Sequence, residues 1–190
     1  MGAGKTEKVH EVYRITKERY SEDLSGAGAR RFGGRWNSRG VPVVYASQHR
    51  SLCLLEFLVH LAPDLLPSDM CLVTIRIPQG VPACDLPTTG LPSGSTELPA
   101  CDLPTTGLPS RSTELPFGWR GYPYDDLTQQ IGDLLLKSGR YGMIRVPSAI
   151  VVEERNCLIH PPVAAEHGVF VSEVKPLYLD GRLLWKIAAE

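Results

Sequence analysis

Apolar and polar residues change rhythm several times along this 190-residue chain. Val9–Ile15 (VHEVYRI) alternates moderately and predicts a first strand. Ser21–Gly40 is rich in Gly, Arg and Ser and reads as loop with short structure. Val41–Ala46 (VPVVYA) is a short apolar strand, and Ser47 stands where it would cap a helix over Gln48–Leu61. In Cys71–Ile77 (CLVTIRI), Leu72, Thr74 and Arg76 alternate against Val73, Ile75 and Ile77, the period of two that marks a strand. Asp125–Ser138 (DDLTQQIGDLLLKS) predicts a helix. Acids open it, Lys137 sits in its last turn and Gly139 follows, as the helix dipole and a glycine stop favour. Gly142–Pro147 leads into an expected strand at Ala149–Val152. Val169–Lys175 and Leu183–Ile187 are expected to be further strands. Helices and strands mix without a regular βαβ rhythm, so the expected class is α+β.

One stretch departs from this patterning. Pro78–Pro116 holds eight of the 16 prolines. Within it, Ala83–Pro99 (ACDLPTTGLPSGSTELP) is followed directly by Ala100–Pro116 (ACDLPTTGLPSRSTELP), and only Gly94 versus Arg111 differs. This is a tandem duplication of a Pro/Thr/Ser/Gly-rich unit. A solenoid needs at least about three units, each able to bury a face. The pair is therefore expected to be an extended surface insertion, residues 78–123, within one domain over 9–190, preceded by a flexible N-terminus, 1–8. The five cysteines include no C-x-x-C pair and their number is odd. Neither a disulfide framework nor a structural zinc site is expected.

Composition narrows the class further. Hydrophobic residues at 43% and charged residues at 22% fit an ordinary globular domain. A formal net charge of −1 excludes a chain-wide basic surface for nucleic acid. The longest apolar run, Leu52–Ala62, is interrupted by Glu56 and His60 and falls short of the roughly 18 residues a membrane span requires. The N-terminus has no apolar signal core, so the cytoplasm is the expected location. GAGKT at Gly2–Thr6 lacks the first glycine of a phosphate loop and a preceding strand. The histidines lack metal-ligand spacing, so no metal is expected, and there is no G-x-S-x-G nucleophile elbow.

The near-zero charge conceals an asymmetry. Between Asp23 and Glu56 there is no acidic residue, while Arg30, Arg31, Arg35, Arg39 and Arg50 fall in that stretch, among Phe32, Gly33, Gly34 and Trp36. Guanidinium forks suit phosphate, glycines let backbone N–H groups approach an anion, and Trp36 and Phe32 offer flat faces for a base or a nicotinamide ring. A solvated basic loop would have the same composition. Glu56 is a second anomaly, a carboxylate among Leu54, Leu55, Phe57 and Leu58. It lies either on a polar stripe or buried with a partner, because an unpaired buried carboxylate costs several kcal/mol. Ser148, at the mouth of the expected strand, is by itself a turn former.

Together these segments resemble the RES domain family, named for an Arg, a Glu and a Ser. The matching segments are VYRIT at Val12–Thr16, SGAGARRFGGRWNSRG at Ser25–Gly40, VVYASQHRSLCLLEFLVHL at Val43–Leu61, TQQIGDLLLKSG at Thr128–Gly139 and VPSAIVVEERNCLIHP at Val146–Pro161. The resemblance covers most of the chain outside the proline-rich stretch. It implies a single mixed α/β domain like that of ADP-ribosyltransferase toxins, around a nicotinamide-nucleotide cleft. It implies Arg35, Tyr45, Glu56 and Ser148 as catalytic residues, Arg30 as a further basic position binding substrate, and Asn156 of the matching ERN segment as substrate-binding or structural; Trp36, for its flat face among the arginines, is also expected to bind substrate. His160–Pro161 departs from the family's usual Asn-Pro, and the duplicated unit is not a family feature.

The activity implied is that of a toxin consuming NAD+ as substrate, with no resident cofactor, by hydrolysis or phosphorolysis of the nicotinamide–ribose bond. Transfer of ADP-ribose to a protein is the alternative, and a non-enzymatic binding domain a lesser one. The implied partner is a small Xre-type helix-turn-helix antitoxin. Self-association is compatible with the family, and neither a membrane nor direct nucleic acid binding is expected.

Overall fold

The computed structural model describes residues 10–61, 68–86, 101, 115, 118–124 and 126–184. Its strands are β1 (His10–Lys17), β2 (Val44–Ser47), β3 (Met70–Ile77), β4 (Ala83–Asp85), β5 (Met143–Pro147), β6 (Arg155–Ile159) and β7 (Phe170–Pro176). Its helices are α1 (Ala27–Phe32), α2 (Arg50–Leu58), α3 (Asp126–Lys137), α4 (Pro161–Glu166) and α5 (Gly181–Leu184). The strands form one mixed sheet in the order β4-β5-β6-β2-β1-β3-β7. Only β4 against β5 is parallel.

Strand alternation sorts the core onto the two faces of this sheet. On one face, Val12, Val44, Ala46, Val73, Ile75, Cys157 and Ile159 pack with Ala164 of α4. On the other, Tyr45, Ile144, Val146 and Leu158 pack with Leu135 and Leu136 of α3 and with Trp36 and Trp119. Helix α2 lies over β1 and β2, with Leu52 and Cys53 buried.

Several expectations are corrected by this architecture. Ser47 does not cap α2; His49 holds that position. Ser47 instead ends β2 directly opposite Asn156, so its hydroxyl is used across the sheet. The strand expected at Ala149–Val152 is a turn. The Ser148 hydroxyl accepts the N–H groups of Ile150 and Val151 at 3.0 and 3.1 Å, and backbone donors captured by a serine are lost to a strand ladder. The strand lies before it, at β5, and β6 follows. Of Leu183–Ile187, residues 183 and 184 belong to the short helix α5, which the Asp180 carboxylate opens by accepting Arg182 N–H at 2.9 Å. Residues 185–187 are outside the described residues.

The proline-rich stretch is partly structural. Ala83–Asp85, read from sequence as part of the surface insertion and the start of its first repeat, is the edge strand β4. Cys84 and Leu86 are buried beneath α3's side of the sheet, and Trp119 is buried with them. Asp85 points to the other face and accepts both Nε and Nη2 of Arg145, the latter at 2.7 Å. Most of the two copies lies outside the described residues. Contrary to the expectation from cysteine counting, Cys84 and Cys101 form a disulfide. They occupy the same position of the two copies, 17 residues apart. Cys101 N–H donates to the Asp85 carbonyl at 2.8 Å, so the second copy begins alongside the first and the thiols meet. Cys53, Cys71 and Cys157 are free and buried. Burial pushes the Cys53 and Cys157 thiols up to about 12, which leaves them protonated and unreactive.

Candidate active site

Glu56 is carried by α2 three and four residues after the buried Cys53 and Leu52, so the helix turns its half-buried carboxylate toward the sheet. There its Oε1 accepts two hydrogen bonds, from Ser148 Oγ at 2.9 Å and from Asn156 Nδ2 at 2.5 Å. The Asn156 amide oxygen in turn accepts the Ser47 hydroxyl at 2.8 Å. Among the described residues, Oε2 accepts no hydrogen bond. Ser148 is fully buried. A hydroxyl has one proton and two acceptor positions. The proton goes to Glu56 and both acceptor positions take backbone N–H groups, leaving no capacity for a substrate. At the rim, His49 Nδ1 lies 3.0 Å from Glu154 Oε2, clipping the start of α2 to the turn before β6.

The opposite wall is the loop after α1. Asn37 is fully buried and organises it. Its Nδ2 donates to the carbonyls of Ala29 and Val41, each at 2.9 Å. Its Oδ1 accepts the Tyr45 hydroxyl at 2.8 Å. That hydroxyl accepts Trp36 N–H at 2.9 Å. Burial pushes the Tyr45 phenol well above its ordinary value, so it stays neutral, and its oxygen is committed to the loop. What remains for a ligand is the accessible part of a mostly buried ring. From α3, Gln129 Nε2 donates to Gly34 O at 2.9 Å. Asp133 accepts Ser38 N–H at 2.9 Å and also the Ser38 hydroxyl. Gly34 and Gly132 are required by close approach: a Cβ on Gly34 would lie 2.7 Å from the Tyr45 hydroxyl, and one on Gly132 would overlap the Trp36 carbonyl.

Arg35 projects from this loop. Its guanidinium donates to the carbonyl of Trp119 and, at 3.1 Å, to that of Gly121. It also sits 5.7 Å from the Tyr124 ring centroid. Burial lowers its pKa, and the nearby Glu56 carboxylate opposes that shift; the guanidinium remains a cation. Arg120 Nε donates to Ala149 O at 3.0 Å, so residues 118–124 bridge the Arg35 loop and the turn holding Ser148.

The structure thus brings together Arg35, Tyr45, Glu56, Ser148 and Asn156. For Trp36 and Arg30 the expectation of substrate binding needs adjustment, and for Asn156 the structure favours the structural alternative. Trp36 is only 2% exposed, packed at 6.0 Å between ring centroids against Trp119, so its ring is core and not a substrate platform. Asn156 spends its amide between Ser47 and Glu56 and positions the carboxylate. Arg30 is exposed on α1, and no described contact joins it to the cluster. His160 starts α4, where its N–H donates to Gly142 O at 3.0 Å, apart from these residues. Ser47, Asn37, Gln129 and Asp133 were missed by sequence reading. For Gln129 and Asp133 the signal was there: polar residues four apart on one helix turn, which align on one face. A separate cavity of about 270 Å³, lined by Leu24, Ser25, Pro161, Ala164, Ala165 and Val169, lies on the α4 side. It is largely apolar and holds none of these groups.

Known proteins share this arrangement of sequence and fold. A toxin described as "Prs ADP-ribosylating toxin" from Sphingobium sp. is 35% identical over 168 residues, spanning 87% of this chain and 89% of that protein. "Toxin Res" from Photorhabdus laumondii is 32% identical over 177 residues, 91% of this chain and 96% of that protein. The crystal structure of the M. tuberculosis MbcT–MbcA toxin–antitoxin complex contains a chain of the same fold, with a TM-score of 0.64 at 21% identity, covering 97% of this chain and 91% of that one. The RES domain matches residues 11–180. With the match spanning nearly every element of the sheet and both walls of the Arg35–Glu56 site, this chain belongs to the RES domain family.

Proposed function

We propose that the protein is the toxin of a toxin–antitoxin pair and depletes NAD+ by cleaving its nicotinamide–ribose bond. The observation that carries this reading is the Glu56 carboxylate, fixed through one oxygen by Ser148 and Asn156, with the other accepting no hydrogen bond among the described residues and the Arg35 cation nearby.

Nicotinamide is bound to ribose as a pyridinium, so the electron pair of the breaking C–N bond returns to the ring nitrogen and a neutral base leaves. No general acid is needed. Positive charge develops on the ribose as an oxocarbenium-like state. Glu56, held as an anion beside it, stabilises that charge and accepts ribose hydroxyls. Arg35 neutralises the pyrophosphate, exchanging backbone carbonyls for phosphate oxygens. The accessible part of the Tyr45 ring borders the nicotinamide. Water or phosphate then captures C1′, giving ADP-ribose and a released proton in the first case, or its 1-phosphate in the second. Capture by a protein side chain is the second reading, favoured by the likeness to the Sphingobium toxin described as ADP-ribosylating. The partner is a small helix-turn-helix antitoxin that co-purifies and blocks the cleft; the working compartment is the bacterial cytoplasm.

Glu56→Gln keeps the hydrogen-bonding shape and removes the charge. Expressed beside wild type, it should leave cellular NAD+ intact and lower turnover by about 10²- to 10³-fold, with an unchanged melting temperature. Retained turnover would overturn the assignment. Labelled NAD+ incubated with lysate separates the readings: free ADP-ribose or its phosphate for consumption, a labelled protein band for transfer.

A further inference from the structure

Ser47 lies outside the Arg, Glu and Ser that name the family, and it never meets the cleft; it is 3% exposed at the end of β2. Its position is set by register: Ser47 pairs with Asn156 across β2 and β6, so both side chains emerge on the face covered by α2. We infer that Ser47 is a positioning residue for Glu56, acting through the Asn156 amide. The inference rests on the reading of Glu56 as the catalytic carboxylate.

The physical basis is the asymmetry of an amide. The Asn156 side chain has a donor end and an acceptor end. Donation from the Ser47 hydroxyl to Oδ1 at 2.8 Å holds the acceptor end away from Glu56 and turns Nδ2 onto Oε1 at 2.5 Å. Rotating the amide by half a turn would set its oxygen against the carboxylate and its N–H₂ against a hydroxyl. The carboxylate, an acceptor only, takes the Nδ2 end, and Ser47, by donating to Oδ1, pins the far end of the amide and so fixes where Nδ2 meets Oε1. With Ser148 supplying the second donor, Oε1 is filled and Oε2 is the oxygen presented. Removing the Ser47 hydroxyl leaves Oδ1 without its donor, lets the amide turn about its own bonds, and weakens the Nδ2 donation that favours the charged carboxylate.

The test uses the full chain and compares wild type, Ser47→Ala, Ser47→Thr and Asn156→Ala in NAD+ turnover across about pH 4 to 8, the range in which a carboxylate sets the acid limb. Of the titratable groups whose charge couples to Glu56, Arg35 stays cationic and Cys53 stays neutral across this range. His49 and Glu154 at the rim are common to every variant. Ser47→Ala is expected to lower kcat about tenfold, as a small misplacement of a reacting group does, with KM changed less than about twofold. The acid limb should move up by about half a pH unit or more. Ser47→Thr, which keeps the hydroxyl in a residue suited to strands, should restore both. In the Asn156→Ala background, Ser47→Ala should add nothing.

An unmoved acid limb in Ser47→Ala would overturn the inference. So would a shift that persists in Ser47→Thr or adds to that of Asn156→Ala. A second readout is independent of turnover: the titration of the Glu56 side-chain carbon in carbon-13-labelled protein, identified by its loss in Glu56→Gln. If that titration rises in Ser47→Ala while Glu56→Gln still consumes NAD+, the positioning role stands and the assigned activity falls. If Glu56→Gln is inactive and the titration does not move, the positioning role falls alone.

Discussion

The two walls of the site are built by different means. Glu56 stands on a regular helix over the middle of the sheet. Its partners Ser47, Asn156 and Ser148 come from strands and their connecting turn, linked side chain to side chain. Arg35 stands on a loop. That loop keeps its shape because side chains reach in from far along the sequence to satisfy its backbone: Gln129 and Asp133 from α3, and the Tyr45 hydroxyl from β2. In return, Arg35 satisfies the carbonyls of 119 and 121. The first wall places one carboxylate oxygen through a short relay; the second places a cation by tying down the backbone on either side of it. A change in the first should act on chemistry with little effect on folding. A change in the second should act on folding and binding together.

That contrast is broken most severely by Glu56→Gln, where turnover is lost and stability is not. Next is Gly132→Ala on the opposite wall. The added methyl overlaps the Trp36 carbonyl, and such overpacking costs about 1–3 kcal/mol. Thermal unfolding should move down by several degrees and KM for NAD+ should rise, with the acid limb unmoved. If Gly132→Ala shifted the acid limb, the two walls would not be independent. Tyr45→Phe is smaller. It keeps the ring but strips Trp36 N–H and Asn37 Oδ1 of a shared partner, at about 1–2 kcal/mol. Denaturant unfolding should show the loss, and KM should rise more than kcat falls. The least effect is expected for His49→Ala at the rim. The pair with Glu154 is half-exposed, with side-chain exposures of 57% and 30%, and contributes about 1 kcal/mol at most. A larger loss of stability would mean that the rim, and not the buried relay, holds the Glu56 wall.

The reach of sequence reading follows the same division. Strands β1 and β3 and helices α2 and α3 were legible because their own hydrophobic period declares them. The cluster of Arg35, Tyr45, Glu56 and Ser148 was named through the resemblance, and Glu56 also stood out as a carboxylate in an apolar run. Trp36 misled because an aromatic beside arginines and glycines looks like a ligand platform. Its burial depends on Trp119, 83 positions away and beyond the repeat. The turn at 149–152 misled because its residues favour strand, while one hydroxyl, from Ser148, takes the backbone donors. The disulfide was hidden because cysteine counting does not register that a repeat sets two identical positions side by side.

From sequence alone, this protein has a mixed α/β chain, an acid-free stretch of arginines leading to Glu56, a 17-residue unit copied in tandem, and membership of a recognisable family. Those are properties of local period, composition and order, which act over a few residues. Tertiary structure decided which end of Asn156 meets Glu56, that Ser148 has no hydroxyl capacity to spare, and that Trp36 is core. Each depends on hydrogen bonds or contacts between residues distant in sequence, whose partners are chosen only when strand register and helix packing bring them within about 3 Å.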